Sequence, residues 1–466
     1  MEGQTYDCLN AIEGRLIQGH LSSPFQGVSI NSRTVSKGEL FVCIKGEKFD
    51  GHDFLADVID KKVGGIILSK PEKLPKKPTQ GHGEPFLIYS NDTLKALQDL
   101  ACFQRNRFPF QVVAITGTNG KSTTKEMITS ILESKFRTLK TQGNLNNHIG
   151  LPLTLLKREP SQEMGVLELG MSAAGEIKKL AEIAQPNIGV ITNISEGHLV
   201  QLKSLKDVQT AKGELFDALT EEGTAIVNAD DPLVLELAKS IRSKAITFGI
   251  ERPADVWASE IENRDNLGFQ FKVNLFDKAL SVRLPYLGYC NIYNALAALA
   301  TGYSLGVQEE AMAKGLENYQ HMSQRNEQTR HKEIDIINDA YNANPRSMTE
   351  ALSTLDNFKT KGRRIFVIGD MLELGKRSIA AHRELGEEVS ASQTDIMVTV
   401  GKLASLSAKS AQLLAGKKIQ IHEFNSHEEA AHFLVQETES GDCVMFKGSR
   451  GAAMEKVLQI FIENKN

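Results

Sequence analysis

A chain of 466 residues, 41% hydrophobic and 24% charged with a formal net charge of -4, is too long for one hydrophobic core and has the make-up of a multidomain globular protein. The near-neutral balance and the lack of a long basic run exclude a nucleic-acid polyanion as its main partner. No apolar stretch is long enough to span a bilayer, Glu2 and Asp7 are unlike a secretory signal, and the five scattered cysteines lack metal spacing, so a cytoplasmic protein with reduced thiols is expected.

Residues 1–95 read as a small α/β unit. Strands are predicted at 39–44, 63–68 and 86–89, a helix begins at Asp50 with Asp50 or Asp53 as cap, and 71–85 is a surface loop. This unit has no catalytic constellation of its own and reads as a binding domain. A helix over 94–108 leads into the second unit, 96–328.

The stretch 112–124 states its chemistry most clearly. Val112 to Ile115 is a β-branched run that reads as a buried strand, Gly117 and Gly120 supply a turn, and a helix runs from Lys121 to about Phe136. That order aims backbone N–H groups and a positive dipole end at one point, where a phosphate fits. Lys121 brings a mobile charge for the outer phosphates, and the Ser122 hydroxyl is placed to ligate Mg²⁺. The general pattern G-x-x-x-x-G-K-[ST] would need glycine where Ile115 stands; the competing interpretation is an ordinary strand-to-helix turn containing Gly-Lys-Ser.

Asn144, Asn146 and Asn147 lie in a polar stretch that fits either a ligand loop or a plain surface loop. Strands at 164–169, 187–192, 224–229 and 244–249 alternate with helices at 175–185 and 204–219, which points to a mainly parallel sheet covered on both faces. Glu168, Glu196 and His198 fall at the carboxyl ends of such strands, where ligands bind. A carboxylate with Ser122 and phosphate oxygens suits Mg²⁺; His198 is either a site residue or a hydrogen-bonded structural histidine. From 255 to 285 the pattern becomes an antiparallel meander, and an Ala/Leu helix follows that Asn291 is placed to cap.

The last unit, 329–466, restarts the alternation with strands at 333–338, 363–368, 395–400, 418–423 and 443–446. It is a Rossmann-like doubly wound sheet without a Gly-x-Gly-x-x-Gly turn, so a dinucleotide is not its ligand. Asp339-Ala-Tyr-Asn-Ala-Asn-Pro345 takes that turn's place, with Pro345 suited to the first helical turn. Lys447-Gly-Ser-Arg450 is either a ligand edge or a solvated basic turn.

Together, Thr116-Gly-Thr-Asn-Gly-Lys-Ser122, Glu168, Glu196-Gly-His198, Ala211-Lys-Gly-Glu214, Asn291-x-x-Asn294 and Arg325 resemble the ATP-dependent Mur ligase family, whose phosphate loop has this shortened form. Asn31-Ser-Arg33, the stretches 143–147, 339–347 and 369–375, and Lys447-Gly-Ser-Arg450 are similar to the member that joins D-alanyl-D-alanine to UDP-N-acetylmuramoyl-tripeptide in peptidoglycan precursor synthesis. Two positions depart from the family pattern: Asn31 stands where Asp is usual, and Gln324 where a small residue is common.

The resemblance implies three domains: a UDP-substrate domain (1–95), an ATP-binding central domain (96–328) and a C-terminal domain receiving the dipeptide (329–466). It implies an acyl-phosphate mechanism with ATP and two Mg²⁺ ions. Gly117, Thr118, Asn119, Gly120, Lys121, Ser122, Thr123, Asn291, Asn294, Arg325 and Asp339 would bind ATP. Ser32, Arg33, Asn144, Asn146, Asn147, Asn342, Asn344 and Ser347 would bind the other substrates. Lys121, Glu168, His198 and Lys212 would be catalytic, and Ser122, Glu168, His198 and Lys212, the last as a carbamate, would hold metal. A monomer acting without nucleic acid is expected. The alternative is another Mur-type or a folylpolyglutamate-synthetase-like amino acid ligase.

Overall fold

The computed structural model describes residues 1–75, 84–197, 199–414 and 419–465. The chain forms two compact units. The first comprises 1–114, 136–171 and 176–187; the second comprises 115–135, 172–175 and 188–466.

In the first unit a five-stranded sheet has the order Arg15–Gln18, Phe86–Tyr89, Gly65–Leu68, Leu40–Val42, Val28–Ser29. Only Arg15–Gln18 runs antiparallel to its neighbour. The central strands are short and buried on both faces, as expected of β-branched runs under helices, and Phe41, Leu55, Val58, Ile66 and Leu68 pack into one cluster. A ribbon of Glu2–Gln4 and Pro24–Gln26 and the helix Thr5–Ala11 had no clear sequence signal. The expected helix at Asp50 opens as a 3-10 turn, Gly51–Phe54, because the Asp50 carboxylate accepts from His52 N at 3.0 Å; an α-helix follows over Leu55–Asp60. Of the surface loop expected at 71–85, Pro71–Lys73 is a 3-10 turn, and 76–83 lie outside the described residues. The same unit contains the parallel pair Thr138–Lys140 and Met164–Glu168.

In the second unit Ile188–Ile191, Thr224–Asn228, Lys244–Gly249 and Val256–Asn263 are parallel neighbours in that order. Phe269–Leu275 and Lys278–Leu284 extend them as the expected antiparallel meander. The following helix is Cys290–Ser304 with Tyr289 as its first flanking residue. Asn291 therefore lies inside the helix rather than capping it, and its side-chain amide donates back to Leu287 O at 2.6 Å.

A second sheet in this unit has the order Glu327–His331, Ile334–Asp339, Cys443–Lys447, Arg364–Gly369, Ile396–Val400, Gln420–Phe424. All neighbours are parallel except the first hairpin. Alternate residues go to two cores: Ile336, Val367, Val398 and Val444 to one, and Ile337, Phe366, Met397 and Met445 to the other. That alternation is what a sheet covered by helices on both faces requires. The chain steps over Cys443–Lys447 between its first and second parallel strands, Ile334–Asp339 and Arg364–Gly369.

All five cysteines are unpaired, and burial pushes the Cys8 and Cys43 thiols up to about 12.

Candidate functional site

The strand Gln111–Thr116 ends in Gly117, and Gly120, at φ +82°, precedes the helix Lys121–Leu132. Both glycines are required: a Cβ on Gly117 would meet Thr192 Oγ1 at 1.9 Å, and one on Gly120 would meet Asn294 Oδ1 at 2.3 Å. The helix is shorter than expected, ending at Leu132 rather than Phe136. No side chain caps its N-terminus, so its first N–H groups and dipole face the turn.

Positive charge gathers on this loop. Lys121 Nζ donates to Gly117 O and Thr118 O, at 3.0 and 3.1 Å. Lys212, on the helix Leu205–Asp217, donates to the same Gly117 carbonyl at 2.8 Å. Only 2% of Lys212 is exposed. Burial first, and the Lys121 charge second, push its pKa well below that of an ordinary lysine. The third cation is Arg325, whose Nη2 donates to Ser122 Oγ at 3.1 Å while its guanidinium lies 4.0 Å over the Tyr341 ring. Its neighbours Gln324 and Asn326 both have left-handed φ, at 61° and 53°, which turns the chain sharply on either side of it.

The loop after Ile334–Asp339 also reaches the phosphate loop. Asn344 and Asn119 exchange amide hydrogen bonds, at 2.7 and 3.2 Å. Asn344 also caps the helix Pro345–Asn357 in a reciprocal box with Ser347. Asp339 accepts from Asn326 N at 3.1 Å and pairs with Lys447, which is 2% exposed and so is not a solvated basic turn. Asn342 supplies a carbonyl to Lys447, and its Oδ1 accepts from Arg450 N.

Beside the loop lies a cavity of about 680 Å³, lined in part by Asn119, Gly120, Asn294, Tyr289, Tyr293 and Arg346. Asn294 is fixed there by Thr124 Oγ1 at 3.1 Å and by Asn291 Oδ1 at 3.0 Å. Sequence reasoning passed over several residues at this site: Tyr341 under Arg325; Arg346, 3.8 Å from the buried Asp231; and Arg377, which grips Glu196 at 3.0 and 3.2 Å. Each acts across a gap of tens to hundreds of residues, so no spacing rule points to it.

In the first unit, Glu168 ends its strand fully enclosed. Its Oε1 accepts from Asn146 Nδ2 at 2.8 Å, while Oε2 is buried without a hydrogen-bond partner among the described residues. Asn147 Oδ1 accepts from Ile149 N and Gly150 N and so starts the helix Gly150–Leu156; Asn144 contributes a carbonyl to Asn146 N. Ser32 and Arg33 offer their carbonyls to Lys61, in a turn that Asn31 Oδ1 closes by accepting from Arg33 N at 3.0 Å. His198 lies outside the described residues.

Among the described residues no three His, Cys, Asp or Glu side chains form a metal cluster. The orphaned, buried Glu168 oxygen in the first unit and the Ser122 hydroxyl in the second are each a hard oxygen donor of the kind Mg²⁺ takes.

Three family descriptions match the chain: "Mur ligase family, catalytic domain" over 24–111, "Mur ligase middle domain" over 115–302 and "Mur ligase, glutamate ligase domain" over 324–450. The UDP-N-acetylmuramoyl-tripeptide–D-alanyl-D-alanine ligase of Bacillus subtilis is 35% identical, covering 96% of this chain and 97% of its own. The crystal structure of MurF from Acinetobacter baumannii superposes with a TM-score of 0.89 at 31% identity, over 99% of each chain. MurF ligase from Thermotoga maritima, solved in complex with ADP, gives 0.80 at 28% identity, over 94% of this chain and 98% of its own.

Proposed function

This chain belongs to the Mur ligase family, and on that premise we propose that it joins D-alanyl-D-alanine to UDP-N-acetylmuramoyl-tripeptide at the expense of ATP, a step in peptidoglycan precursor synthesis. The observation that carries the reading is the convergence of Arg325 and Asn344, from the last third of the chain, on the phosphate loop at Ser122 and Asn119. Phosphoryl donor and incoming amine must meet, and this contact brings their two loops together.

A carboxylate does not react with an amine unaided. The γ-phosphoryl group of ATP is transferred to the terminal carboxylate of the tripeptide; the dipeptide amine then attacks that carbon, and phosphate leaves. Nothing in this sequence needs a covalent enzyme intermediate, so the protein contributes positioning and charge. The uncapped helix at Gly120 supplies N–H donors to the phosphates. Lys121 exchanges the Gly117 and Thr118 carbonyls for phosphate oxygens, and Arg325, held flat by Tyr341, presents its guanidinium to the same charge. Asn294, with Asn291 behind it, and Asp339, with Lys447 behind it, receive the nucleoside. Thr118, Asn119 and Thr123 complete the loop. Asn342, Asn344 and Ser347 shape the turn that takes the dipeptide, while Ser32, Arg33, Asn144, Asn146 and Asn147 serve the UDP-linked substrate. His198 is proposed beside the transferring group on the family pattern alone.

Ser122 and Glu168 are the oxygen donors proposed for Mg²⁺, which when bound neutralises charge on the transferring phosphoryl group. The depressed pKa of Lys212 favours its neutral amine, the form that adds CO₂ to give a carbamate and a proton. We assign Lys212 that role: the carbamate turns a cation into an oxygen donor. We place the reaction in the cytoplasm, where ATP is supplied, and propose that the protein acts as a monomer.

The test is phosphate release. It is expected to require UDP-N-acetylmuramoyl-tripeptide and D-alanyl-D-alanine together, with little release from ATP alone. Full release with either substrate omitted overturns the reading.

A further inference from the structure

A phosphate loop works only if its peptides point the right way. The peptide between Asn119 and Gly120 is the vulnerable one, because glycine at φ +82° accepts either sign of φ and so permits a peptide flip. A flip would swing the Asn119 carbonyl, an acceptor, into the place where Gly120 N–H should meet an anion.

Two residues beyond the strand Ile188–Ile191 hold that peptide. Thr192 Oγ1 donates to Asn119 O at 2.6 Å. Asn193 uses both ends of its side-chain amide: Oδ1 accepts from Asn119 N at 3.0 Å, and Nδ2 donates to Asn119 O at 3.0 Å. The amide thus imitates a neighbouring strand. The backbone continues the pairing, with Thr118 N donating to Asn193 O at 2.9 Å and Thr192 N to Thr116 O at 3.0 Å. Thr192 is itself fixed, its carbonyl accepting from the buried Asn228 Nδ2 at 2.8 Å. The Asn119 carbonyl therefore has two donors on the strand side. Since every described peptide is trans, the N–H of Gly120 points to the opposite side, toward the helix N-terminus.

We propose that Thr192 and Asn193 are positioning residues for the nucleotide: they lock the peptide between Asn119 and Gly120 in the orientation that presents N–H groups to the phosphates. The inference rests on the nucleotide reading above and adds the part of the fold that sets the loop's polarity. Thr192 packs so closely that only glycine fits at 117, which ties this lock to the shortened loop itself.

Three variants test it, with ADP and Mg²⁺ binding read by calorimetry beside steady-state kinetics. Thr192→Val keeps shape and removes the donor; Thr192→Ser keeps the donor; Asn193→Asp keeps the acceptor and replaces the donor with a negative charge. The Val and Asp variants should each weaken ADP binding and raise the KM for ATP by about tenfold, the worth of one such hydrogen bond, with the KM for D-alanyl-D-alanine unchanged. The Ser variant should bind ADP like the parent. A Ser variant as weak as Val, or Val and Asp variants that bind ADP like the parent, overturns the inference. If Asn193→Asp fails to fold, the Val and Ser pair decides alone. A parent that binds no ADP overturns the nucleotide reading and this inference together; a parent that binds while the variants bind equally overturns only the inference.

Discussion

The second unit contains two strand–turn–helix corners of the same topology and opposite chemistry. At the first, Thr116 leads through two glycines to Lys121, and the helix that follows has no side-chain cap. At the second, Asp339 leads to Pro345, and Asn344 and Ser347 satisfy each other's backbone N–H groups. The first leaves its donors and dipole for an anion from outside. The second has used them, and its buried cation, Lys447, is already spent on Asp339. Equal topology therefore does not leave equal donors: the cap residue decides which corner keeps its N–H groups free for an anion.

The sharpest way to break this contrast is to remove the charge from the open corner. Lys121→Met, which removes the donor to the Gly117 and Thr118 carbonyls, should lower substrate-dependent phosphate release by about 10³-fold while the protein still folds. A loss below tenfold would mean the open corner is not where phosphoryl transfer is stabilised. Lys212→Ala should cost about 10²-fold in activity, with part recovered on adding short carboxylates, whereas Lys212→Met fills the same space and should not be rescued. It also has a signature in stability. The folded pKa of Lys212 lies below its unfolded value near 10.5, so the unfolded chain binds the extra proton between those two values. In CO₂-free buffer, stability should therefore rise with pH across that window, by up to about 1.4 kcal/mol per pH unit, and the Met variant should lack that slope in urea titrations.

At the closed corner the effects should include a loss of stability that the open corner does not show. Lys447→Met strands Asp339 in a mostly buried position and should cost about 3 kcal/mol of unfolding free energy. Asn344→Ala, which removes the helix cap, should cost about 1 kcal/mol in the same titration. If Asn344→Ala instead lowered phosphate release as much as Lys121→Met, the closed corner would supply the charge for phosphoryl transfer as well and the contrast would fail.

The open corner was legible because everything that builds it is local: a β-branched strand, two glycines, a lysine and a helix within 112–132. The alternation of the last sheet was legible for the same reason: its five parallel strands fall within two residues of their expected positions, while the antiparallel edge strand Glu327–His331 had no sequence expectation. What escaped was non-local or too short for periodicity. Glu2–Gln4 and Pro24–Gln26 have three residues each and exist through pairing with one another. Asn291 was given a capping role because asparagine favours that position, yet the helix had already begun at Cys290. Thr192 and Asn193 looked like the plain end of a strand, since their partner Asn119 is more than seventy residues away. Glu196 was placed at the ligand edge without the Arg377 that holds it, for the same reason.

In the proposed reaction an activated acyl phosphate forms before the amide bond. This order is tested most directly by labelling the terminal carboxylate of the tripeptide with oxygen-18 and running the reaction to completion with ATP and D-alanyl-D-alanine. The released phosphate should acquire one labelled oxygen, carried over when the carboxylate attacks the γ-phosphorus and the C–O bond later breaks. Unlabelled phosphate alongside full amide formation would contradict it.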